Sequence, residues 1–420
     1  MSLSSFYDVH CHALTLSHPS FLAFTQTLRS RGLEEAYAQI SSPNYLIAAL
    51  FFKGGDRIRN MLSVMERDVG SIFELMEDDL AGKFAEPGAE PPIIGRGELM
   101  LGALRFDKLV LCPLIMDFEG SVFVPPRGTY YDRPSVKSAH AQIRDVLEGI
   151  REYRRRRPEG MLELRPFVGV DPRHYSMDEL SSFLDFSFAG YERAEGPAKA
   201  KASRRAFDAM RDYDASSPPH CRFAGVKVYP PLGFDPWPDE GEERDKVELL
   251  WSFCEKRDIP VVGHCDDQGF RVIPLEEAWR FTSPDRWAAV LEAHPDLRLD
   301  FAHFGVQYSH PLGKGASNEW TDRIVELMGR YPNVYADISF DGTEAEYYRW
   351  LEIYMERQGR RGSELLTERL LFGSDFMVNL TKVSSYAEYY RIFARAALSD
   401  ELKRRLGHDN PERFLFGLNG

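Results

Sequence analysis

Short apolar segments rich in β-branched residues recur along the chain and alternate with segments of helical periodicity. The eight segments that we predict as strands are residues 6–12, 108–116, 162–170, 223–230, 259–265, 297–305, 333–339 and 370–376. Most are continuous apolar runs without polar alternation, which is typical of strands buried on both faces of a parallel sheet.

The segments between these strands carry apolar residues at helical spacing. Residues 246–257 and 320–330 each place such residues on one stripe, and residues 138–157 form a long candidate helix. This helix ends in the arginine run 154–157. Because cations are favoured at a helix C-terminus, we interpret the run as a solvated helix end.

Eight strand–helix repeats predict an α/β fold, a (β/α)8 TIM barrel. The alternative is a doubly wound open sheet, which usually has a glycine-rich phosphate-binding turn after its first strand. Here the first strand ends in His10-Cys11-His12 instead. The sequence therefore favours the barrel.

A typical barrel needs about 250 residues, so a chain of 420 residues contains insertions. We predict one barrel over residues 1–420. The largest excess, residues 13–107 between strands one and two, includes a helix-like stretch (57–80) and a segment rich in proline and glycine (86–97). We predict that it forms an inserted helical cap over the C-terminal mouth. A second insertion covers residues 171–222, with a helix predicted at 198–213.

Five polar side chains stand where predicted strands end. His10 and His12 are two residues apart in the first strand and therefore point to the same side. His264, His303 and Asp375 end strands five, six and eight, at the end of the barrel that carries active sites. Because buried imidazoles and carboxylates need partners, this set indicates a divalent metal site.

The motifs around these residues resemble those of the amidohydrolase superfamily, and in particular its amidohydrolase-related group with the aminocarboxymuconate-semialdehyde decarboxylase-like enzymes. The matching motifs, spread over residues 8–418, are DVHCH, GVKVYPPLGFDP, VVGHCDD, DFAHFG, LLFGSDF and NPERFLFGL. Neither insertion has a counterpart in this resemblance.

The resemblance implies roles for the five residues. His10, His12 and His264 would be metal ligands, and Asp375 would both bind the metal and accept the proton of the attacking water. His303 would orient that water or stabilise negative charge on the substrate. The implied cofactor is Zn²⁺, one ion or two, with another divalent metal as an alternative.

Lys227 in the fourth predicted strand leaves three interpretations open. Related enzymes with two metal ions carry a carboxylated lysine on this strand. The side chain could instead pair with a substrate carboxylate, or form a buried ion pair with Asp375 or another acid.

Several other residues near strand ends are weaker candidates. We expect Asp8 to be a structural acid that fixes the His-x-His turn. The remaining candidates, for contacts around the metal or with an anionic substrate, are Asp266, Asp267, Arg173, His174, Tyr229 and Arg271.

Composition and charge limit the kinds of binding partner that we expect for this protein. The chain has 52 Lys and Arg against 65 Asp and Glu, a net charge of −13, which argues against a general nucleic-acid binder and against adsorption to anionic lipid. The longest apolar run, 45–52, is too short to span a bilayer, and the first residues do not resemble a signal peptide. With five cysteines and no CxxC pair, we expect reduced thiols in a cytoplasmic protein. A homodimer is the generic expectation.

We therefore predict a metal-dependent hydrolase in which an activated water attacks a C–N or C–O bond of a small organic substrate. One alternative is a non-oxidative decarboxylase that uses the same metal site. The other is a protein that retains the metal site but only binds a ligand.

Overall fold

The computed structural model describes residues 3–18, 55–86, 88, 90–119, 137–189, 191, 196–209, 223–267, 269–271, 273–308 and 317–417. The strands of this part of the chain are β1 (Leu3–Cys11), β2 (Ile94–Gly95), β3 (Glu98–Leu101), β4 (Leu104–Pro113), β5 (Leu162–Leu164), β6 (Phe167–Gly169), β7 (Gly225–Val228), β8 (Val261–His264), β9 (Leu299–Ala302), β10 (Val334–Asp337) and β11 (Leu370–Leu371). Each of the eight predicted strands corresponds to at least one of them.

The barrel strands are parallel and neighbour each other in chain order. β1 pairs with β4 and β4 with β5, while β6 to β11 pair in succession. Two isolated parallel bridges, Leu114 with Phe167 and Cys11 with Phe376, join the two sheets. The fold is the predicted (β/α)8 barrel, with two seams at which the sheets are joined by these bridges and a few backbone hydrogen bonds.

The third predicted strand is interrupted in the structure. β5 pairs with β4 and β6 pairs with β7, and Arg165 and Pro166 lie between the two short strands. Proline has no N–H to donate, so a ladder cannot run through Pro166 without a break. Its carbonyl still accepts a hydrogen bond from the backbone N–H of Ala224 at 2.8 Å, which keeps the segment in the barrel wall.

The helices of the described residues are α1 (Gly55–Met65), α2 (Val69–Leu80), α3 (Ala139–Arg156), α4 (Met177–Ser187), α5 (Gly196–Ala209), α6 (Glu242–Lys256), α7 (Leu275–Thr282), α8 (Pro284–Ala293), α9 (Glu319–Arg330), α10 (Ala345–Arg357), α11 (Gly359–Arg369), α12 (Tyr386–Arg395), α13 (Asp400–Arg404) and α14 (Asn410–Phe416). The helices predicted at 138–157, 246–257 and 320–330 are α3, α6 and α9. Ser138 caps α3 by accepting a hydrogen bond from the N–H of Ala141 at 3.3 Å.

The helix-like stretch 57–80 consists of two helices. Asp68 caps the second by accepting the backbone N–H of Ser71 at 2.9 Å, so the first ends at Met65. α2 packs in the outer layer of the barrel, where Tyr153 of α3 donates to Glu77 at 3.0 Å and the N–H of Ala387 of α12 donates to Asp79 at 2.8 Å.

The predicted cap over the mouth covers residues 13–107, of which 19–54 lie outside the described residues. The cap therefore stays a prediction. In the second insertion, α5 covers most of the helix predicted at 198–213, and residues 210–222 lie outside the described part.

The interior of the barrel is filled from its N-terminal end by the last helix. Phe414 and Phe416 of α14 pack against Tyr7, Val110 and Phe167 from the strands. The polar residues of the candidate site are left to the C-terminal end.

Two further observations concern the described residues as a whole. Their four cysteines, Cys11, Cys112, Cys254 and Cys265, are buried and free; Cys221 lies outside the described ranges. None of the helices described is both long and apolar enough to cross a bilayer.

Candidate metal centre

Three predicted ligands meet where β1 and the segment after β11 run side by side. The backbone N–H of Asp375 donates to the carbonyl of His10 at 2.7 Å. Asp375 Oδ1 then lies 3.2 Å from His12 Nε2 and 3.6 Å from His10 Nε2. The three side chains are buried and their donor atoms lie within 4.8 Å of one another, as a shared cation requires.

The opposite ring nitrogens of the two histidines are held by acceptors. His10 Nδ1 lies 2.7 Å from Asp337 Oδ2, and His12 Nδ1 lies 3.0 Å from the carbonyl of Leu114. Because a carbonyl and a carboxylate only accept, both Nδ1 atoms carry the proton, and the Nε2 lone pairs face Asp375.

His264 and His303 extend this arrangement across the barrel. His264 ends β8, and His303 begins a short turn directly after β9. The ring centroids of the two are 5.0 Å apart, and those of His303 and His10 are 4.8 Å apart. The donor atoms of His264, Asp266 and His303 form a second group compatible with a metal ion, adjacent to the first.

His264 Nε2 is a buried nitrogen without a hydrogen-bond partner among the described residues, although Asp266 Oδ1 lies 3.1 Å away. The ring of Tyr229 covers one side of the imidazole at a centroid distance of 4.6 Å. Gly269 lies over the nitrogen with φ +90°, and a Cβ there would come within 2.7 Å of Nε2. Glycine avoids this clash, so His264 Nε2 stays buried and unpartnered among the described residues, which fits a metal ligand.

Asp337 and Ser339 complete the site, and the sequence interpretation missed both. Asp337 Oδ1 accepts the backbone N–H groups of His303 and Ser339, each at 3.0 Å. Ser339 Oγ lies 3.0 Å from His10 Nδ1 and 2.9 Å from His303 Nδ1. An acid at the end of an apolar strand was the signal that identified Asp375, and Asp337 shows it too.

Burial and neighbouring charges determine which titratable groups of the site are neutral and which are charged. Burial lowers the pKa of His10 to about 3 and also lowers that of His264, so both rings are neutral and able to ligate. Burial likewise opposes the protonation of His303, but the carboxylates of Asp266 and Asp375 outweigh it and raise the pKa of that ring.

The carboxylates of Asp375 and Asp337 remain ionised. Burial alone would raise the pKa of Asp375, but its close contact with His12 and the other nearby imidazoles lower it. For Asp337, burial is likewise outweighed, chiefly by its interaction with His10, whose Nδ1–H donates to it at 2.7 Å, and the pKa falls far below its usual range. The site therefore combines neutral imidazoles with carboxylate anions, a donor set that suits Zn²⁺.

Lys227 and Asp300 lie at one level of the barrel wall, since Lys227 is in register with Val262 and Val262 with Asp300. Lys227 is 1% exposed, and its Nζ has no hydrogen-bond partner among the described residues. Burial lowers its pKa to about 8, against the attraction of Asp337, Asp375 and Asp300. Burial, and then the charge of Asp337, raises the pKa of Asp300 well above its usual value.

Asp8 takes the structural position expected for it. Its carboxylate accepts the backbone N–H of Ser374 at 2.9 Å and the hydroxyl of Tyr386 at 2.8 Å. Burial raises its pKa to about 7. Asp8 therefore fixes the segment that carries Asp375 against the strand that carries the two histidines.

Backbone strain is concentrated at the same place. His303, Phe304, Phe340 and Asp375 have φ values of 64°, 49°, 65° and 54°, in the left-handed region that side chains other than glycine rarely adopt. Such conformations persist where the surrounding structure holds them, often at functional sites.

The weaker candidates are placed around the mouth. Arg173 donates from Nε to Asp171 Oδ1 at 2.9 Å, and His174 Nδ1 lies 3.1 Å from Asp117 Oδ2. Asp267 accepts the N–H of Tyr308 at 2.9 Å, and Arg271 lies in the loop after β8. The contacts of Arg173, His174 and Asp267 hold loops in place, and they are therefore consistent with a structural role as well as with a role in binding.

Comparison with known proteins identifies the relationship. Residues 198–417, more than half of the chain, match the family model described as Amidohydrolase. The match includes Lys227, His264, His303 and Asp375, whereas His10 and His12 lie before it. A search of curated protein sequences finds no significant match.

Solved structures with low sequence identity also align. They include a TIM-barrel protein from Bordetella bronchiseptica (15% identity, 98% of each chain, TM-score 0.44) and a 2,6-dihydroxybenzoate decarboxylase in complex with 2,6-dihydroxybenzoate (11% identity, 100% of each chain, TM-score 0.44). A uronate isomerase from Bacillus halodurans C-125 aligns at 14% identity and a TM-score of 0.43 over 99% of this chain and 93% of its own.

Proposed function

This chain belongs to the amidohydrolase family, and we propose that it is a metal-dependent hydrolase of small organic molecules. The observation that carries the proposal is the arrangement of the Nε2 atoms of His10 and His12 around Asp375 Oδ1. Both rings are held by acceptors at Nδ1, so their lone pairs are directed at one point.

We propose His10, His12, His264 and Asp375 as the ligands of one divalent ion, most simply Zn²⁺. The buried Nε2 of His264, which has no hydrogen-bond partner among the described residues, and the neutral state of the buried imidazoles support this ligand set. An ion bound there would lower the pKa of a water molecule and polarise a carbonyl group of the substrate.

The two proposed catalytic residues have complementary roles. Asp375 is held as an anion and can accept a proton from the attacking water. His303 is the imidazole whose protonated form the surrounding carboxylates favour, and it can donate a hydrogen bond to a developing oxyanion. Asp337 and Ser339 position His303 through its backbone N–H and its Nδ1.

Lys227 is kept as a candidate for contact with a substrate carboxylate or, if carboxylated, with a second metal ion. Its burial and its lowered pKa of about 8 favour partial population of the neutral amine that reacts with CO2. Mass analysis of the intact protein under bicarbonate would detect the added CO2, and unmodified protein containing one metal per chain would exclude the bridging role.

The proposal is tested with protein purified without chelator or added metal. We expect close to one equivalent of zinc per chain and turnover of one class within a panel of esters, lactones, amides and carboxylic acids. In H₂¹⁸O the product should carry solvent oxygen. The variant His303→Gln should retain the metal and lose most of the turnover.

The same experiment distinguishes the alternatives. Release of CO2 from a carboxylic acid without incorporation of ¹⁸O would establish a decarboxylase and contradict the hydrolase. Full metal loading with no turnover on any class would favour a binding protein. Metal far below one equivalent, with no zinc uptake, would contradict the site itself.

A further inference from the structure

A small cavity, open to solvent on one side, lies in the wall of the barrel, near the N-terminal ends of the strands and therefore away from the candidate metal centre. It has a volume of about 160 Å³ and is formed by the end of α3, the segment around β5 and helix α5. The basic residues that line it are Lys108, Arg154, Arg157, Arg165 and Arg204, and its acidic residues are Glu163 and Asp208. Five cations against two acids is a notable local excess in a chain with a net charge of −13.

Arg165 is a buried basic side chain that lines this cavity. Its side chain is 8% exposed, and its Nη2 donates to Glu163 Oε2 at 3.3 Å. The other terminal nitrogen, Nη1, is buried and has no hydrogen-bond partner within the described part of the chain. A buried guanidinium N–H without an acceptor is costly, so an acceptor supplied by a ligand would be stabilising.

The position of Arg165 is fixed from the protein side. Its guanidinium lies 5.0 Å from the ring centroid of Phe416 and 5.8 Å from that of Phe207. It is also placed by the short break between β5 and β6, where the following Pro166 interrupts the strand. The donor group is thus held in place in advance, which lowers the entropic cost of binding an ion.

Other donors surround the same space. Lys108 uses one of its three ammonium protons on the carbonyl of Gly160 at 2.9 Å. Arg204 donates from Nη2 to Glu163 Oε1 at 3.0 Å, and its side chain is 64% exposed, so it lies at the solvent side of the cavity. Glu163 therefore links the buried arginine to the exposed one.

Two arginines of the run 154–157 line the cavity, which the interpretation as a solvated helix end did not anticipate. Arg154 donates from Nη1 to the carbonyl of Phe207, and Arg157 Nη2 donates to Asp78 at 2.9 Å. Arg155 and Arg156 form ion pairs elsewhere, with Glu152 at 2.8 Å and Glu74 at 2.9 Å.

We propose that this cavity binds a phosphate-type oxyanion, either free phosphate or the phosphate group of a small phosphomonoester. A tetrahedral dianion accepts hydrogen bonds in several directions and suits converging guanidinium and ammonium groups. The volume of about 160 Å³ is below that of pockets for larger organic ligands, which run to about 300 Å³ and more. The inference does not depend on the proposed hydrolase activity.

The test is a titration of the full-length protein with inorganic phosphate at constant ionic strength. Isothermal titration calorimetry and thermal unfolding measure the binding. We expect saturable binding that Lys108→Met and Arg204→Ala each weaken about tenfold, which corresponds to about 1.4 kcal/mol. Arg205→Ala is the matched control, since Arg205 is exposed on the same helix and does not line the cavity. Arg165→Met should abolish binding if it folds; the two other variants test the site without it.

Phosphate could also bind at the metal centre, so the same titration is made with His12→Ala. Binding that persists in this variant and is lost in Arg204→Ala supports the cavity. Three results would overturn the proposal: no saturable binding, an equal loss in Arg204→Ala and Arg205→Ala, or a loss confined to His12→Ala. A titration with glycerol phosphate distinguishes the two sources of the phosphate group. If the cavity binds a phosphomonoester, glycerol phosphate should bind more tightly than inorganic phosphate; if it binds free phosphate, glycerol phosphate should not bind more tightly.

Discussion

At the scale of single residues, the candidate metal centre depends on which nitrogen of each imidazole is free. Asp337 decides this for His10 by holding Nδ1 at 2.7 Å, and it also accepts the backbone N–H of His303. One buried carboxylate therefore orients both a proposed metal ligand and a proposed catalytic residue. Residues of this kind usually affect metal affinity almost as strongly as the ligands themselves.

Replacing Asp337 by asparagine should lower zinc affinity by about 10- to 100-fold, because the amide group cannot replace both carboxylate oxygens as acceptors. Competition with a chromophoric chelator measures the change. Ser339→Ala removes a neutral hydroxyl from the same cluster and should have a smaller effect. Equal zinc affinity in wild type and Asp337→Asn would contradict the proposed arrangement of His10.

The strand-end rule led to five of the candidate residues, but Asp337, which ends β10 and which the same rule could have found, was missed, as was Ser339, which depends on a turn. His10, His12, His264, His303 and Asp375 follow apolar strands, and the structure brings them to one end of the barrel in two adjoining groups. Ser339 was not found, because it reaches both His10 and His303 only through the turn after β10. Arg165 was not singled out, because nothing local shows that one of its nitrogens is left without an acceptor.

At the scale of secondary-structure elements, the N-terminal end of the barrel is closed by a buried ionic network. Lys199 of α5 donates to the carbonyl of Asp258 and lies 3.3 Å from its Oδ2. Arg298 pairs with the same carboxylate and donates to the carbonyl of Arg413 at 2.8 Å. The network thus fastens α5 and the C-terminal helix α14 to the same loop.

Lys199 should make stability depend on pH in the alkaline range. Burial lowers its pKa from 10.5 to about 8, so between these values the unfolded chain binds a proton that the folded chain does not. The free energy of unfolding of the wild type should therefore rise relative to Lys199→Met as pH increases through this window, by up to about 3 kcal/mol.

Urea unfolding at several pH values measures this difference. Lys201→Met, which removes an exposed lysine from the same helix, should follow the wild-type slope. A constant difference between wild type and Lys199→Met from pH 8 to pH 10 would show that the buried ammonium does not titrate in that window.

The contact between β1 and the π-helical segment Arg405–Asp409 provides a second prediction at this scale. Phe6 packs against Phe372 at a ring distance of 4.9 Å, and a Cβ at Gly407 would lie 1.9 Å from Phe6 Cε2. Gly407→Ala should therefore destabilise the protein by about 1–3 kcal/mol through overpacking.

Chemical denaturation compares this variant with Gly329→Ala in α9. The nearest atom to a Cβ there is Leu365 Cδ1 at 3.8 Å, an ordinary contact, so the substitution should stabilise by about 0.5–1 kcal/mol through helix propensity. If both alanine variants changed stability by the same amount, the close packing of Phe6 on the π-helical segment would be refuted.

At the scale of the whole molecule, the proposed ligands join parts of the chain that are far apart in sequence. His10 belongs to β1 and His12 follows it directly, His264 ends β8, and Asp375 lies in the segment after β11. At one of the two seams, β1 and the segment after β11 are joined by an isolated bridge, Cys11 with Phe376, and by a few backbone hydrogen bonds such as that from Val9 to Phe372 at 3.0 Å. A metal ion shared by His12 and Asp375 would add a further link between the two segments across this seam.

It follows that the metal should stabilise the fold and not only the site. Zinc at about 100 times its dissociation constant should add about 2.7 kcal/mol to the free energy of unfolding, because an ion held by the native ligand set binds the unfolded chain poorly. Differential scanning calorimetry should show a higher melting temperature for zinc-loaded protein than for protein treated with chelator. His12→Ala should show little of this shift, while Arg205→Ala, which changes a surface charge far from the seam, should keep all of it. An equal zinc-dependent shift in wild type and His12→Ala would mean that the ion binds elsewhere, and the link between the first and last strands would then have to be made by the protein alone.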